Sequence, residues 1–351
     1  MRDISKIDKN FAVQTNIGKD DVVFYDPQQA PFEINGVYYD NGQFRRLPES
    51  VAKATNEGVW SLHANTAGGR IRFRTDSPYV AIVVKMPEVL KRSHFSLTGS
   101  IGFDVYAHDG DTWFCKSFVP PFDIVDGYES VIDMTTGGMK EIVVHMPLYS
   151  EVSEVYIGLC DSAKVEPPTP YAVQTPVVFY GSSITQGGCA SRPGNAYENM
   201  ISRRLNVDHV NLGFSGSARG EDVIADYIKG LDMSVFVYDY DENAPTPEHL
   251  QNTHERMFLK IREANPTLPI VMLTRPKHRL VEHEVRRLEI VKTTYENAKA
   301  RGDENVYFID GLTLLQWSGI DGLIDNCHPN DLGFYSMASA LEPVLKTILK
   351  G

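Results

Sequence analysis

The segment Val177–Gly188 constrains the fold of this chain more than any other stretch. It begins with four apolar or aromatic residues, which predict a buried strand, and continues directly into Gly181, Ser182 and Ser183. A strand that ends in small residues places a hydroxyl group at the carboxyl edge of a sheet, where open α/β folds bind their ligands. Taken alone, a Gly-Ser turn after a strand is more often only a turn, so the residues downstream have to decide its meaning.

Strands and helices alternate through the rest of the chain, from residue 177 to residue 351. Thr246 and Pro247 predict the start of a helix, because threonine caps helices and proline is tolerated in the first turn. A last helix is expected to bend or break near Pro343. This order predicts a parallel sheet with helices on both faces, and therefore an α/β domain over residues 177–351. The further predicted strands are His209–Leu212, Ser234–Tyr238, Pro269–Leu273 and Asn305–Ile309.

The first 165 residues have a different pattern of short strands and turns. Arg70–Arg74 alternates between basic and apolar residues, as expected for a strand with one wet and one dry face. Asn41-Gly42, Asp109-Gly110 and Gly137-Gly138 are typical of hairpin turns. We therefore expect an all-β domain of the sandwich or jelly-roll type over residues 1–165. Two strand pairings are predicted: 101–108 with 112–118, and 141–146 with 155–159.

Residues 166–176 separate the two regions and are rich in proline. Because proline lacks an amide hydrogen and has a fixed φ, this stretch is expected to be an extended linker between two domains. The prolines are Pro167, Pro168, Pro170 and Pro176.

Exposed aromatic residues in the β region leave two interpretations open. Tyr38, Tyr39 and Trp113 could form a surface on which sugar rings stack, or they could pack between the two sheets of a sandwich. Packing between the sheets is the commoner arrangement for aromatic side chains of this kind.

Composition restricts the class of partner. A formal net charge of −12 argues against nucleic acid, because binding a phosphate backbone needs a basic surface. No apolar run reaches the roughly eighteen residues of a membrane span. The segment Met1–Lys6 lacks the apolar core of a secretion signal. The protein is therefore either cytoplasmic, or secreted or periplasmic after removal of a leader, and its oligomeric state is left open.

The four cysteines do not predict a metal site. They are scattered, with no Cys-x-x-Cys pair, and are read as mostly free thiols. Cys327 is adjacent to His328, but neighbouring side chains seldom point at each other, so a Cys-His nucleophile pair is not favoured. The cysteines are Cys115, Cys160, Cys189 and Cys327.

Polar residues gather where the predicted strands of the second half end. Right-handed crossovers bring the carboxyl ends of parallel strands to one edge of the sheet. Taken singly, an Asp-x-x-His is often a solvated pair and an Asn-x-Gly is often a turn. Their occurrence together and in order favours one shared site. The segments are Gly181–Thr185, Asn211–Gly216, Asp239–Pro245 and Asp325–Gly333.

In this order the four segments resemble the sequence blocks of the SGNH (GDSL-type) esterases and lipases. The Asp325-x-x-His328-Pro329 block is the most specific, and Asn211–Gly216 is moderately specific. The first block is not the Gly-x-Ser-x-Gly elbow of the α/β-hydrolases, because Thr185 replaces its second glycine. The resemblance implies a flavodoxin-like three-layer α/β/α hydrolase domain, preceded by an all-β jelly-roll domain like that of some carbohydrate-active members.

The resemblance also implies the role of each site residue. Ser183 would be the nucleophile, His328 the general base and then acid, and Asp325 the residue that orients the imidazole. The oxyanion hole would consist of the Ser183 amide, the Gly216 amide and the Asn243 side chain. No metal and no cofactor are expected.

Two departures from the family pattern affect these assignments. Gly-Asp-Ser is here Gly-Ser-Ser, so the residues alone leave Ser182 and Ser183 both open, although Ser183 keeps the family spacing to Ile184-Thr185. The third block reads Asp-Tyr-Asp-Glu-Asn instead of Gly-x-Asn-Asp, and Asn243 is its only asparagine. Arg192 and Arg219 follow the first two blocks and either bind a polar group of the substrate or form salt bridges.

The sequence therefore predicts a serine esterase that removes a short acyl group, in first place acetyl, from a carbohydrate. A lysophospholipase or another small-ester hydrolase on the same scaffold is an alternative, although no strongly apolar exposed loop is evident in the sequence. A carbohydrate-binding protein with a degenerate hydrolase domain is the alternative from another class.

Overall fold

The computed structural model describes residues 15–111, 113–135 and 137–350. The segment Met1–Lys6, which was considered above as a possible signal, lies outside the described residues. Within them, no helix combines the length and the apolar character that a bilayer span requires.

The first half contains two antiparallel sheets that enclose an apolar core. One sheet has the order β1-β11-β6-β9; the other has the order β12-β5-β10-β7-β8, with β2 also paired to β5. This is the predicted β-sandwich. Its strands are β1 (Val22–Tyr25), β2 (Glu33–Asn35), β5 (Arg70–Thr75), β6 (Tyr79–Lys85), β7 (Phe103–His108), β8 (Trp113–Phe118), β9 (Gly127–Asp133), β10 (Lys140–His145), β11 (Glu154–Cys160) and β12 (Val165–Glu166).

One predicted strand pairing is confirmed and the other is wrong. β7 pairs with β8 from Phe103↔Phe118 to His108↔Trp113, as expected from the Asp109-Gly110 turn. β10 and β11 do not pair, because β10 lies between β5 and β7 whereas β11 lies between β1 and β6 in the other sheet. The segment 146–153 therefore crosses from one sheet to the other, and this crossing brings Tyr149 to the second half of the molecule.

Two helices interrupt the first half, which the sequence analysis did not predict. A short hairpin, β3 (Tyr38–Asp40) and β4 (Gln43–Arg45), leads into α1 (Glu49–Thr55) and α2 (Glu57–Leu62). The buried side chains of these helices join the core of the second half instead of the sandwich core. A further short helix, α3 (Leu97–Ser100), precedes β7.

The second half is the predicted three-layer α/β/α domain. Its five strands are all parallel in the order β14-β13-β15-β16-β17, which is the flavodoxin-like arrangement. Side chains of β13 alternate between two apolar clusters, with Val178 and Tyr180 on one face and Val177 and Phe179 on the other. The strands are β13 (Val173–Gly181), β14 (Val207–Gly213), β15 (Val235–Asp239), β16 (Ile270–Leu273) and β17 (Val306–Ile309).

Helices cover both faces of this sheet. Thr246 caps α7 as predicted, since its hydroxyl accepts a hydrogen bond from the His249 amide. The last helix is not broken at Pro343 and continues to Ile348. The helices are α4 (Ser183–Gln186), α5 (Tyr197–Leu205), α6 (Asp222–Ile228), α7 (Pro247–Ala264), α8 (Glu282–Ala300), α9 (Gly311–Leu314) and α10 (Asp331–Ile348).

Strands occupy both ends of the segment predicted as a linker. β12 includes Glu166, and β13 begins at Val173, four residues before the predicted domain start. Between them the ring of Tyr171 lies under the guanidinium group of Arg72, 3.7 Å from its centroid. The division into domains at 1–165 and 177–351 stays a prediction.

Arg46 joins the two halves through a buried guanidinium group. From the end of β4 it donates hydrogen bonds to the carbonyls of Asn65 and Leu62 in its own half, at 2.6 and 2.8 Å. It also donates to the carbonyl of Gly213 at the end of β14, at 2.7 Å. The group packs over the Phe214 ring, 4.8 Å from the centroid. Burial lowers the pKa of Arg46 to about 9, which still leaves it charged at neutral pH.

Replacing Arg46 by methionine should destabilise the protein strongly. The variant keeps the apolar stem but leaves buried carbonyls without a donor, so we expect the free energy of unfolding to fall by about 3 kcal/mol. Urea denaturation of the wild type and the variant would measure this loss in the free energy of unfolding. Arg301→Met is the control, because Arg301 forms a surface ion pair with Glu255 and its loss should cost less than about 1 kcal/mol. Equal losses in both variants would contradict the role given to Arg46.

Candidate active site

Ser182 and Ser183, which the sequence left open, have different structural roles. Ser182 is the N-cap of α4, and its hydroxyl accepts a hydrogen bond from the Ile184 amide at 3.1 Å. A hydroxyl engaged as a helix cap is held in place by the backbone. Ser183 is the first residue of α4, and its Oγ lies 2.8 Å from Nε2 of His328. Of the two serines, Ser183 has the geometry of a nucleophile.

Ser183, His328 and Asp325 form a continuous hydrogen-bonded series. Nδ1 of His328 lies 2.8 Å from Oδ2 of Asp325. Because a carboxylate can only accept, the proton of the neutral imidazole sits on Nδ1, and Nε2 is free to accept from the Ser183 hydroxyl. The structure thus brings together the three residues that were predicted as catalytic.

The turn that carries Asp325 and His328 is fixed by its own backbone. Oδ1 of Asp325 accepts hydrogen bonds from the amides of Cys327 and His328, at 3.1 and 2.7 Å. Partial burial tends to raise the pKa of Asp325, but the hydrogen bonds from His328 outweigh it and hold the pKa below its usual value. The carboxylate is therefore ionised when the imidazole needs an acceptor.

Two of the three groups predicted for the oxyanion hole, at Gly216 and Asn243, lie on loops that contact each other. Gly216 has φ of +68°, a left-handed conformation that favours glycine, and a side chain built there would meet no other atom. Nδ2 of Asn243 donates to the Phe214 carbonyl at 3.0 Å, which fixes the amide beside the Gly216 loop. This bond leaves one hydrogen of the Asn243 amide for another acceptor.

Two glycines allow the loops to approach the serine turn. A Cβ atom on Gly181 would overlap Oδ1 of Asp239, and one on Gly213 would overlap the backbone of Gln186. The side-chain oxygen of Gln186 accepts a hydrogen bond from the Ser215 amide at 3.0 Å. The serine turn and the Gly216 loop are thus held together by the close approach of Gly213 to the Gln186 backbone and by the hydrogen bond from Ser215 to the Gln186 side chain.

The β domain also reaches the site, which the sequence analysis missed. The Tyr149 hydroxyl donates to the Ser183 carbonyl at 3.1 Å, and Nε2 of Gln186 donates to Oδ1 of Asn65 at 3.2 Å. The rings of Phe95 and Tyr149 lie 4.5 Å apart, and the ring of His94 lies 6.1 Å from that of His328. No motif in the first half signalled these contacts, because they depend on how the two halves pack.

Arg192 and Arg219 are placed differently from each other. Nη1 of Arg192 donates to the Tyr106 hydroxyl at 2.5 Å and lies 3.5 Å from Oδ2 of Asp104, both in the β domain. This is the salt bridge that was the alternative to substrate binding. Nη2 of Arg219 donates to the Gly216 carbonyl at 3.2 Å, so Arg219 lies next to the loop of the predicted oxyanion hole.

Cys327 does not have the character of a nucleophile. Its sulfur lies 3.7 Å from Oε1 of Glu242 and 3.9 Å from Nη2 of Arg275. Burial raises the pKa of the thiol to about 11. The Cys327 thiol is therefore protonated at neutral pH. Since only the thiolate is nucleophilic, Cys327 is unreactive there.

A buried carboxyl group supports the serine turn from behind. Oδ1 of Asp239, at the end of β15, accepts a hydrogen bond from the Thr185 hydroxyl at 2.5 Å. Burial raises the pKa of Asp239 to about 8, although the Thr185 hydrogen bond opposes this effect. The side chain is thus largely a neutral acid at pH 7.

Asp239 should make stability fall as the pH rises. Its pKa is about 8 in the folded protein and 3.8 as the unfolded reference, so the folded state holds the extra proton between these values. Stability is then lost on going from about pH 4 to pH 8, with a slope of at most about 1.4 kcal/mol per pH unit. Asp239→Asn removes the ionisation and should flatten this dependence in thermal denaturation between pH 5 and 8. A variant with the slope of the wild type would contradict the buried proton.

Comparison with known families accounts for nearly the whole chain. Residues 174–346 match the GDSL-like lipase/acylhydrolase family. Residues 22–165 match the family described as the N-terminus of the SGNH-hydrolase type of esterase. No curated protein shows significant sequence similarity to the chain.

Solved structures share the two-part architecture. A candidate GDSL-like lipase from Bacteroides ovatus is 27% identical, with a TM-score of 0.82 over 94% of this chain and 98% of its own. The salicylyl-acyltransferase SsfX3 from a tetracycline biosynthetic pathway is 20% identical, with a TM-score of 0.76 over 94% and 98%. A family two carbohydrate esterase from Clostridium thermocellum, in complex with cellohexaose, is 16% identical, with a TM-score of 0.61 over 91% and 99%. The two family matches show that the chain belongs to the SGNH (GDSL-type) lipase/acylhydrolase family.

Proposed function

We propose that this protein is a serine esterase that hydrolyses short-chain acyl esters, in first place acetyl esters of a carbohydrate. The observation that carries the proposal is the hydrogen-bonded series from Ser183 Oγ through His328 to Asp325, with both side-chain distances at 2.8 Å. This arrangement suits acyl transfer, in which a weakly acidic alcohol has to lose its proton as it attacks.

In the acylation step, Ser183 loses its proton to His328 and becomes acylated. Oγ of Ser183 attacks the ester carbonyl while its proton passes to Nε2 of His328, and the carbonyl electrons move onto oxygen to give a tetrahedral oxyanion. Asp325 stabilises the imidazolium that results. Collapse of the intermediate breaks the bond to the alcohol, which takes the proton from Nε2 and leaves an acyl group on Ser183.

Deacylation repeats these steps with water. A water molecule attacks the acyl group while His328 accepts a proton from this water. His328 then returns that proton to Oγ of Ser183 when the carboxylic acid leaves. In both steps the oxyanion would be bound by the amides of Ser183 and Gly216 and by the Asn243 side chain. These donors are fixed before the reaction begins, which is what makes such groups effective.

The surroundings of Ser183 support a small acyl group. The residue is only 5% exposed, and it is bordered by Tyr149 and Gln186. Phe95 and His94 of the β domain stand next to Tyr149 and His328 respectively. Similar folds include the carbohydrate esterase named above and an acetyl xylan esterase from Butyrivibrio proteoclasticus, at 12% identity. The resemblance in fold to these enzymes motivates the choice of an acetylated glycan.

One observation favours a second candidate, a hydrolase of esters with longer apolar chains. Trp317, Ile320 and Ile324 are 69%, 65% and 51% exposed, in the segment that leads to Asp325. The sequence analysis saw no apolar exposed loop, and in this it was wrong. Such side chains could border an apolar acyl chain or lipid-like substrate. The third candidate, a binding protein with a degenerate hydrolase domain, is disfavoured by the intact contact between Ser183 and His328.

Ser183→Ala should abolish the esterase activity and Ser182→Ala should not. Loss of the nucleophile should lower kcat on p-nitrophenyl acetate by at least about a thousandfold. Ser182→Ala is the matched control: losing the cap of α4 should cost about 1 kcal/mol of stability, while Oγ of Ser183 is kept. Labelling by a fluorophosphonate should likewise be lost only in Ser183→Ala. Labelling or activity that depends on Ser182 instead would overturn the assignment of the nucleophile.

The length of the acyl chain separates the two candidate substrates. For a site that accepts acetyl groups, kcat/KM should decrease from p-nitrophenyl acetate to the butyrate and the octanoate. One methylene group in a restrictive pocket is worth roughly 1–3 kcal/mol, so a difference of at least about tenfold per step is expected. A preference for octanoate would favour the lipase-like candidate. An inert wild type that no fluorophosphonate labels would favour the binding protein.

A further inference from the structure

A cavity lies at the edge of the parallel sheet opposite to Ser183. It has a volume of about 390 Å³, within the range of small-molecule sites. Thr169 and Tyr171, which precede β13, line it together with Asn206, which precedes β14. Its other wall is the β5–β10–β7–β8 face of the sandwich. Ser183 follows the far end of β13, so this cavity is separate from the candidate active site.

Arg203 brings an unpaired positive charge to this cavity. It lies near the end of α5 and lines the cavity. Its guanidinium group stacks on the Tyr106 ring, 3.9 Å from the centroid. Among the described residues Arg203 has no ion pair within 4.0 Å, and its Nη1 is buried without a hydrogen-bond partner. A guanidinium group in this situation lacks an acceptor, and a ligand carboxylate would provide one.

Trp113 gives the cavity an aromatic wall. Its side chain is 52% exposed, so it does not pack between the sheets as the commoner interpretation of the sequence expected. The ring of His108 lies against the indole, with centroids 4.5 Å apart, and holds it in place across the β7–β8 turn. The face of an indole is electron-rich and packs against the polarised C–H groups of a pyranose ring.

The charged residues that line the cavity are mostly basic, whereas the protein as a whole is acidic. Of the residues that the structure describes, Arg70, Arg72 and Arg203 line the cavity together with one acid, Glu141, whereas the whole chain has a formal net charge of −12. Arg70 is paired with Asp208, Arg72 lies 3.6 Å from Glu33, and Glu141 lies 3.3 Å from Arg74. His145 adds no charge, because burial lowers its pKa. Among the described residues that line the cavity, Arg203 is thus the cation that is left for a ligand.

From these observations we propose that the cavity binds a carboxylated sugar residue, such as a uronic acid unit of an acidic oligosaccharide. The carboxylate pairs with Arg203, and the sugar ring stacks on Trp113. Glu141 and Asn206 lie on the same cavity and can bind ring hydroxyl groups. This proposal rests on the cavity alone: it requires neither the esterase activity nor an acetylated substrate, and it holds or fails independently of them.

Calorimetric titration of the full-length protein tests the proposal. The probes are a trimer of galacturonic acid, the neutral trimer of galactose with the same linkage, and benzoate. The acidic trimer should bind, more weakly as salt is raised, and the neutral trimer should bind at least about tenfold more weakly, because a charge-assisted hydrogen bond is lost.

Variants then assign the binding to this cavity. Arg203→Met should weaken binding of the acidic trimer about tenfold and remove the preference for it over the neutral trimer. Trp113→Ala should weaken binding of both trimers. Arg204→Met is the matched control, because Arg204 is the neighbouring arginine but pairs with Glu342 outside the cavity. It should bind as the wild type does.

Each other outcome overturns the proposal. No binding of the acidic trimer, or equal binding of the neutral trimer, would exclude a carboxylate site. Equal weakening by Arg204→Met would mean general electrostatic attraction, and benzoate binding as tightly as the acidic trimer would exclude recognition of the sugar. If thermal denaturation shows that Arg203→Met does not fold, the effect of Trp113→Ala on trimer binding decides whether this cavity is the site. Trp113→Ala is expected to fold, because the Trp113 side chain is half exposed and outside the core.

Discussion

The buried guanidinium group of Arg46 is the interaction on which the arrangement of the two halves depends. Burying a charge is costly unless the group is hydrogen-bonded, and Arg46 forms hydrogen bonds with carbonyls from both sides of the interface. One of these carbonyls belongs to Gly213, at the end of the strand that leads to Gly216. The same contact that joins the halves therefore also fixes the start of the loop that would bind the oxyanion.

The site is surrounded by acids whose protonation differs with burial. Burial raises the pKa of Asp239 to about 8 and that of Asp241 to about 6, and it raises the pKa of Glu198 well above the usual value. Asp325, on a loop open to solvent, has a pKa below the usual value because His328 donates to it. At neutral pH Asp239 and Glu198 thus act largely as neutral hydrogen-bonding groups, while Asp241 and the acid next to His328 are mostly ionised. Burial and hydrogen bonding together thus decide whether a carboxyl group near the site acts as a neutral hydrogen-bonding group or as a charged acceptor.

The β domain is more than an attachment to the α/β domain. Its segment 146–153 crosses between the two sheets, and Tyr149 within it binds the carbonyl of Ser183. Asn65 binds Gln186, which in turn holds the amide of Ser215. The serine turn is thus enclosed by both halves, and its exposure is small for this reason. The same interface, at the opposite edge of the parallel sheet, creates the cavity between Trp113 and Arg203.

The sequence by itself determined the parts of the structure that follow from local periodicity. Alternating strands and helices predicted the parallel sheet, and right-handed crossovers brought Ser183, Gly216, Asn243 and His328 to one edge of it. The Asp-x-x-His spacing also predicted that Asp325 could fold back to the imidazole, because that contact is local. Tertiary structure decided the rest. The two serines differ because Ser182 caps a helix whereas Ser183 contacts His328. Arg192 pairs with a carboxylate 88 positions away in sequence, and β10 and β11 lie in different sheets. Contacts between distant segments leave no periodic signal in either partner, and so only the packing of the two halves could reveal them.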